Sequence, residues 1–326
     1  MLILSKQDIQ TALPMRDAVE AMKEAFKQLY MGKATVPARI HIDVPEHNGT
    51  TLFMPGYLDE DKNMAVKIVS VFADNPEKNL PAINAIVVII DAETGIAHAI
   101  LDGTYLTAIR TGATAGAATD FLAREDASSA AIFGAGPQGR SQLEALCAVR
   151  PVRQAWIFDI NREASQAFAG EMAQRTAVSV HVARNPSEAI ANVDIICTAT
   201  NSAYPVFDDR DVRPGTHINA VGVYKPHMQE VPADTVKRAR IVVDSRQACM
   251  EEAGDLLVPI KAGVIAGEHI YAELGEIAAG MKPGRTSGEE ITLFKSVGIA
   301  VQDVAAASAV LKKAESLNLG SRIELG

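Results

Sequence analysis

The stretch that decides the fold reads Ala130-Ala-Ile-Phe-Gly134-Ala-Gly136-Pro-Gln-Gly139. Its apolar start predicts a strand, and its glycines follow the spacing of a turn that opens a helix. A second predicted strand, residues 155–158, ends in Asp159. An acid about 20 residues beyond such glycines is typical of dinucleotide-binding folds, because it can bind the ribose hydroxyls. The pattern therefore predicts a dinucleotide site rather than a purely structural turn.

Each glycine of this turn has a separate expected role. Gly134 permits the tight turn, Gly136 lets a pyrophosphate approach the backbone, and Gly139 allows the helix to pack closely on the strand. The amides at the start of the helix then face the phosphates. The remaining cofactor contacts predicted in the turn are Ala135, Pro137 and Gln138.

Asp159 favours NAD(H) as the cofactor, because its charge repels the 2′-phosphate of NADP(H). Asn161 and Arg162 follow directly and could contact such a phosphate. NADP(H) therefore stays open at this point.

Composition limits the class of protein. The chain has 326 residues, 48% of them hydrophobic, and a formal net charge of −9, which argues against a nucleic-acid-binding surface. No apolar run reaches the length of a membrane span. The three cysteines form no CxxC pair, and the seven histidines show no metal-ligand spacing. We expect a cytoplasmic protein without a metal site, a nucleic-acid partner or a membrane partner.

The elements change character along the chain. Residues 1–118 alternate a helix with strand-like runs at 39–44, 51–54, 64–72, 85–91 and 96–102. From residue 127, short strands alternate with helices, which is typical of a doubly wound α/β sheet. We predict an α/β protein: a Rossmann domain over 119–299, and an α+β domain for substrate binding and dimerisation over 1–118 with 300–326, with a cleft between them.

Three basic residues lie in apolar or small-residue segments. Lys67 lies in Met64-Ala-Val-Lys-Ile-Val, Arg39 in Val36-Pro-Ala-Arg, and Arg110 in Leu106-Thr-Ala-Ile-Arg-Thr-Gly-Ala. For any one of them alone, a structural ion pair or a surface residue with a buried stem is the better interpretation. Together they fit a clamp for a carboxylate beside a nicotinamide.

These segments and several others resemble the ornithine cyclodeaminase/mu-crystallin family over essentially the whole chain. The further matching segments are Phe133-Gly-Ala-Gly-Pro-Gln-Gly139, Asn219-Ala-Val-Gly222, Val243-Asp244-Ser and Thr292-Leu-Phe-Lys-Ser-Val-Gly-Ile-Ala300. The resemblance implies hydride exchange at the α-carbon of an amino acid through an imine, and a homodimer formed through the sheet of the first domain.

The resemblance also implies roles for individual residues. Arg39, Lys67 and Arg110 would bind the substrate carboxylate, and Val297 would lie near the substrate. The implied cofactor contacts outside the glycine turn are Thr111, Thr198, Thr200, Val221, Gly222 and Ser296. Packing and capping are the alternative interpretation for the threonines, Val221, Gly222, Ser296 and Val297.

One departure from the family separates its activities. Ornithine cyclodeaminases resemble one another in a Gly-Gly-Asp-x-Pro-Gly-Lys segment, but this chain has Gly222-Val-Tyr224-Lys-Pro-His-Met228. Tyr224 replaces the aspartate that would pair with the distal ammonium of ornithine, and tyrosine supplies no negative charge at neutral pH. A second departure is Ala82, where the family often has threonine.

We therefore expect reduction of a small cyclic ketimine acid, Δ1-pyrroline-2-carboxylate, to L-proline. Tyr224, His227 or Lys67 could orient the ring nitrogen or relay its proton. Ornithine cyclodeaminase or an alanine-dehydrogenase-like activity remains the alternative. A non-catalytic binder of a nicotinamide or small ligand is the third hypothesis.

Overall fold

The computed structural model describes residues 1–324. The strands, numbered along the chain, are β1 Leu2–Leu4, β2 Ala34–Thr35, β3 Ile40–Val44, β4 Gly49–Leu58, β5 Asn63–Phe72, β6 Ile83–Asp91, β7 Ala97–Asp102, β8 Ser129–Phe133, β9 Gln154–Phe158, β10 Ser179–Val182, β11 Ile195–Thr198, β12 His217–Ala220, β13 Arg240–Val243, β14 Ile270–Glu273, β15 Thr292–Lys295 and β16 Ser321–Arg322.

The helices are α1 Lys6–Ala12, α2 Met15–Tyr30, α3 Gly103–Leu122, α4 Pro137–Val149, α5 Arg162–Thr176, α6 Pro186–Ile190, α7 Ala233–Arg238, α8 Arg246–Glu252, α9 Gly254–Lys261, α10 Leu274–Ala278 and α11 Ala300–Leu317. Short 3₁₀ turns occur at Pro45–His47, Asn75–Lys78, Asp209–Asp211 and Gly267–His269.

The chain divides into two compact units. The first comprises Met1–Arg110 and the segment that begins at Ile299, and the second comprises Thr111–Gly298. The predicted boundary after residue 118 and this division both fall within α3. The α/β architecture expected from the sequence is present, with an α+β first unit and a Rossmann-like second unit.

The first unit is built on one mixed sheet. Its strands lie in the order β16-β1-β7-β6-β5-β4-β2, with β3 also paired to β4. Most pairs are antiparallel, whereas β1 and β7 are parallel. Helix α11 packs closely on this sheet: a Cβ added to Gly56 would lie 2.9 Å from a methyl of Val304. One face of the central strands is therefore covered by helix.

The second unit is a wholly parallel sheet in the order β10-β9-β8-β11-β12-β15-β13-β14. Strands β8, β9 and β10 follow one another in one direction, whereas β11 and β12 lie on the other side of β8, so the order reverses between β8 and β11. Ligands of such sheets bind outside the carboxyl ends of the strands at this reversal.

Apolar side chains cover both faces of the parallel sheet, as buried parallel strands require. One cluster contains Phe133, Ile196, Ile218, Ile241 and Leu293. The opposite cluster contains Ile132, Ile157, Phe168, Ile195 and Cys197. Adjacent residues such as Ile132 and Phe133 thus serve opposite faces.

Candidate active site

The glycine turn has the tight backbone conformation and the close helix–strand packing that the sequence predicts. Gly134 has φ +101°, a conformation that favours glycine, and a Cβ at this position would lie 2.5 Å from the carbonyl oxygen of Ala199. A Cβ on Gly139 would lie 2.1 Å from the carbonyl oxygen of Gly134. Both positions exclude a larger residue for reasons within the protein itself.

Gly136 differs from its neighbours, because a Cβ there would meet nothing within 4 Å. Its φ is −82°, which any residue adopts, and no side chain caps the helix that starts at Pro137. The backbone therefore does not require glycine at this position, whereas a ligand approaching the start of α4 would. The arrangement fits the pyrophosphate of a dinucleotide.

Asp159 lies at the end of β9 and faces this turn. One carboxylate oxygen accepts from the Ala135 amide at 2.8 Å, and the other accepts from the Asn161 amide at 2.8 Å. These bonds fix the orientation of the carboxylate. Each oxygen can accept further bonds from ribose hydroxyls.

Five other predicted cofactor residues of the second unit lie at or just after the carboxyl ends of its strands. Thr198 ends β11, and its carbonyl accepts from the Val221 amide at 3.0 Å. Thr200 and Gly222 are in close contact, since a Cβ on Gly222 would lie 2.3 Å from the Thr200 carbonyl oxygen. Ser296 follows β15, and its amide donates to Ala220 at 3.1 Å. Thr111 begins the unit within α3.

Two buried carboxylates hold these loops: Glu230, which sequence reasoning missed, and Asp244, which it placed only within a segment of family resemblance. Glu230 accepts from the amides of Thr200, Gly222 and Val223 and from the Thr200 hydroxyl, at 2.7–3.0 Å. Asp244 accepts from the Ser296 hydroxyl at 2.7 Å and from the amides of the two residues after it. Each carboxylate accepts hydrogen bonds from backbone amides of the loops, which would otherwise be buried without acceptors.

A buried ion pair lies behind Glu230. Asp255 accepts from the Glu230 amide at 2.6 Å, and Lys295 donates to Asp255 at 2.8 Å and to the Val223 carbonyl at 2.6 Å. Although burial opposes its charge, the Asp255 and Glu230 carboxylates raise the pKa of Lys295. Lys295 lies within a segment of family resemblance, which was the available signal for it, but no partner could be assigned from sequence.

The clamp residues of the first unit occupy different environments. Lys67 on β5 is 2% exposed and Arg110 at the end of the unit is 5% exposed. Arg39 is only half-buried, in the segment before β3. Lys67 sits on the helix-covered face of the sheet, because Ala65 and Val69 on the same face are also buried.

Asp303 in the first turn of α11 brings Lys67 and Arg110 together. Its carboxylate oxygens lie 3.0 and 2.8 Å from the Lys67 ammonium, and one of them lies 3.1 Å from the Arg110 Nε. The Gln302 side-chain oxygen accepts from Arg110 as well. The buried cluster therefore holds two cations against one carboxylate.

The net positive charge of this cluster suits an anionic ligand. Burial lowers the pKa of Lys67 to about 8; the charge of Arg110 acts in the same direction, Asp303 opposes it, and Arg39 adds a smaller lowering. A carboxylate from a ligand would supply the missing negative charge and stabilise the ammonium.

Tyr224 lies in the second unit, on the loop after β12, and is 38% exposed. His227 lies on the same loop and is also exposed. Within residues 1–324, no group of three or more histidine, cysteine, aspartate or glutamate side chains is placed to hold a metal ion. No helix in that range is both long and apolar enough to cross a membrane.

Comparison with known proteins assigns the family. The sequence profile of the ornithine cyclodeaminase/mu-crystallin family matches residues 1–318. The chain belongs to this family. A Δ1-pyrroline-2-carboxylate reductase of Bacillus cereus is 38% identical over 325 residues, which cover 99% of this chain and 100% of the relative.

Two solved structures of the family share the fold closely. Δ1-pyrroline-2-carboxylate reductase of Thermococcus litoralis, in complex with NADH and L-proline, has a TM-score of 0.96 and 42% identity, covering 99% of this chain and 100% of that one. An archaeal alanine dehydrogenase dimer with bound NAD has a TM-score of 0.92 and 36% identity, covering 100% and 99%.

Proposed function

We propose that the protein is an NADH-dependent reductase that converts Δ1-pyrroline-2-carboxylate to L-proline. The observation that carries the proposal is the buried cluster of Lys67, Arg110 and Asp303, whose excess positive charge fits one carboxylate. The reductase relatives, one of them bound to NADH and L-proline, support the choice of substrate within the family.

The chemistry is a two-electron reduction. NADH, when bound, supplies the hydride that the imine carbon accepts; the electron pair of the C=N double bond then passes to the ring nitrogen, which carries the proton. Lys67 and Arg110 bind the carboxylate next to that carbon and, with Arg39, fix its orientation. Gly136 and the start of α4 would hold the pyrophosphate of NADH, and Asp159 would hold its ribose.

The alternative activities make different demands on the site. Cyclodeamination needs a group that pairs with a distal ammonium and handles protons during ammonia loss, and Tyr224 in place of aspartate supplies no such charge. An open-chain imine such as that formed from pyruvate and ammonium satisfies the same clamp, and an alanine dehydrogenase is among the relatives. The preformed ring imine needs neither ammonia loss nor ammonia capture.

Incubation with chemically prepared Δ1-pyrroline-2-carboxylate and NADH tests this proposal. We expect one NADH to be oxidised for each L-proline formed, with the product resolved by chiral chromatography. The same assay with NADPH tests the role assigned to Asp159. We expect a lower kcat/KM with NADPH than with NADH, because the Asp159 carboxylate would repel the 2′-phosphate. NADH binding without turnover of any imino acid would instead favour the non-catalytic binder.

We also propose that the protein is a homodimer formed through the sheet of the first unit. The face opposite Lys67 carries a row of directly paired apolar residues across β3 to β6: Ile40, Phe53, Ile68 and Ile86. Ile40 is 59% exposed and Ile86 is 44% exposed. A contiguous apolar face of this kind marks a protein interface, and the archaeal relative is a dimer.

Replacing Ile86 with glutamate is expected to convert the dimer to a monomer, because the carboxylate would be buried unpaired in the interface. Ile96→Glu is the matched control, since Ile96 is 62% exposed in the turn between β6 and β7. Sedimentation velocity measures the outcome. A dimer that persists in the Ile86 variant, or a monomeric wild type, contradicts the proposed interface.

We propose a cytoplasmic location for the protein. Cys147, Cys197 and Cys249 are free thiols, and the last two are buried. Unpaired cysteines fit a reducing compartment.

A further inference from the structure

The side chain that pairs with Lys67 was not among the residues that sequence reasoning selected. Asp303 is 1% exposed and belongs to the first turn of α11, whereas Lys67 belongs to β5 and Arg110 to α3. Three separate elements thus meet at one carboxylate. Burying a carboxylate is costly unless it is paired, so its presence here calls for a specific role.

The bonds of Asp303 constrain Lys67 more strongly than Arg110. Both carboxylate oxygens lie within 3.0 Å of the Lys67 ammonium, and one also lies 3.1 Å from the Arg110 Nε. Arg110 is additionally held by Gln302, the residue before Asp303. The start of α11 therefore fixes the two buried cations of the clamp, Lys67 and Arg110, through two adjacent side chains.

We propose that Asp303 is the positioning residue of the carboxylate clamp, which holds the Lys67 ammonium in place and keeps it charged for substrate binding. The inference rests on the proposed function for the identity of the substrate. Its physical basis is independent of that identity, because the pairing lies within the first unit and involves no ligand.

The electrostatics of the cluster explain why a carboxylate is needed. Two cations lie near Lys67: Arg110 on α3, and Arg39 in the segment before β3. Both lower the pKa of Lys67, because they disfavour a third positive charge nearby. Asp303 from α11 is the group that opposes them. Without it, burial and two like charges would leave Lys67 neutral over much of the physiological range, and a neutral amine binds a carboxylate weakly.

Asp303→Asn is the direct test, since it keeps the shape and removes the charge. We expect kcat/KM for the imine at pH 7 to fall by about tenfold or more, mainly through KM, while the dissociation constant for NADH stays within about twofold. The pH above which kcat/KM declines should move down by about one unit or more. The substrate is the same in every variant, so its own ionisation cancels from the comparison.

Two further variants complete the design. Asp303→Glu keeps the negative charge and so protects folding if the asparagine variant is insoluble; we expect the pH of the decline to stay near that of the wild type while kcat/KM falls, because the longer side chain displaces the ammonium. Glu315→Gln, at an exposed position on the same helix, is the matched control and should leave both quantities unchanged.

A measurement without substrate separates this inference from the proposed function. The titration of Lys67 can be followed by NMR of lysine labelled with ¹³C at Cε, with the resonance assigned by its loss in Lys67→Met. If this titration moves to lower pH in Asp303→Asn although the imine is not turned over, the proposed function fails and the positioning role stands. An unmoved titration and pH profile, wild-type kcat/KM in Asp303→Glu, or parallel loss of NADH binding in Asp303→Asn would overturn the positioning role.

Discussion

Lys67→Met is expected to lower kcat/KM for Δ1-pyrroline-2-carboxylate by about 100-fold to 1,000-fold, because truncating one member of a buried, hydrogen-bonded charge pair costs roughly 2–5 kcal/mol. The lost ammonium leaves Arg110 and Asp303, whose charges cancel, so the buried cluster no longer carries excess positive charge and only Arg39 still attracts the carboxylate. NADH affinity should be unaffected, since the glycine turn and Asp159 belong to the second unit.

The pH dependence of kcat/KM tests the role of Lys67 independently. Lys67 has a lowered pKa of about 8, so it carries its proton below that pH and loses it above. Wild-type kcat/KM should therefore decline as the pH rises through about 8, and this decline should be missing in Lys67→Met. Lys312→Met, at an exposed position on α11, is the matched control. Unchanged kcat/KM in the Lys67 variant would remove this residue from the clamp.

The second large effect concerns two neighbouring glycines that the structure distinguishes. Gly136→Ala is expected to leave the melting temperature unchanged or slightly higher, because the added methyl meets nothing within 4 Å and the backbone is extended. The same methyl would occupy the space that the pyrophosphate needs. We expect NADH affinity to fall by about 100-fold, or roughly 2.7 kcal/mol.

Gly139→Ala should behave in the opposite way. Its methyl would lie 2.1 Å from the Gly134 carbonyl oxygen, so α4 must move away from β8, and both the melting temperature and NADH affinity should fall. Differential scanning fluorimetry measures the first quantity. Quenching of Trp156, the one tryptophan of the chain, measures the second. Equal melting temperatures for the two variants, or intact NADH binding by Gly136→Ala, would contradict these roles.

Much of the fold was predictable because its elements follow local rules. The nearly continuous apolar run of β5 and the glycine turn before α4 are both short-range patterns. The predicted strand at residues 64–72 differs by one residue from the observed Asn63–Phe72. The helix that the glycine turn was expected to open is observed as Pro137–Val149, with Pro137 at its first position and Gly139 in its first turn.

The position of β15 was not predictable from local pattern. Its residues Thr292–Lys295 belong to a segment of family resemblance, yet this strand lies between β12 and β13, both of which come earlier in the chain. Sequence order does not give spatial order when a late strand inserts between earlier ones. The buried Lys295 also made the strand look less apolar than its environment is. Its partner Asp255 is distant in sequence, so the ion pair could not be predicted.

The site residues also divide into those that a local sequence pattern identifies and those that only the tertiary structure reveals. Lys67 and Arg110 could be selected because a charge in an apolar segment is conspicuous. Asp303 lies in the alanine-rich start of α11, where an acidic residue is equally typical of the first turn of any helix. Its pairing with a lysine 236 residues away depends on tertiary structure alone. No role could be assigned to Glu230 or Asp244 for the same reason, since their donors are backbone amides and the hydroxyls of Thr200 and Ser296, which no local pattern identifies.

A comparison of three substrates, each assayed separately, tests the central claim most directly. The purified protein is given NADH with Δ1-pyrroline-2-carboxylate, or with pyruvate and ammonium, and separately NAD⁺ with L-ornithine, while nicotinamide absorbance, ammonia and proline are followed. We predict that the cyclic imine has the highest kcat/KM and yields L-proline, and that L-ornithine releases no ammonia. Conversion of L-ornithine to proline and ammonia, with no reduction of the cyclic imine, would contradict the account.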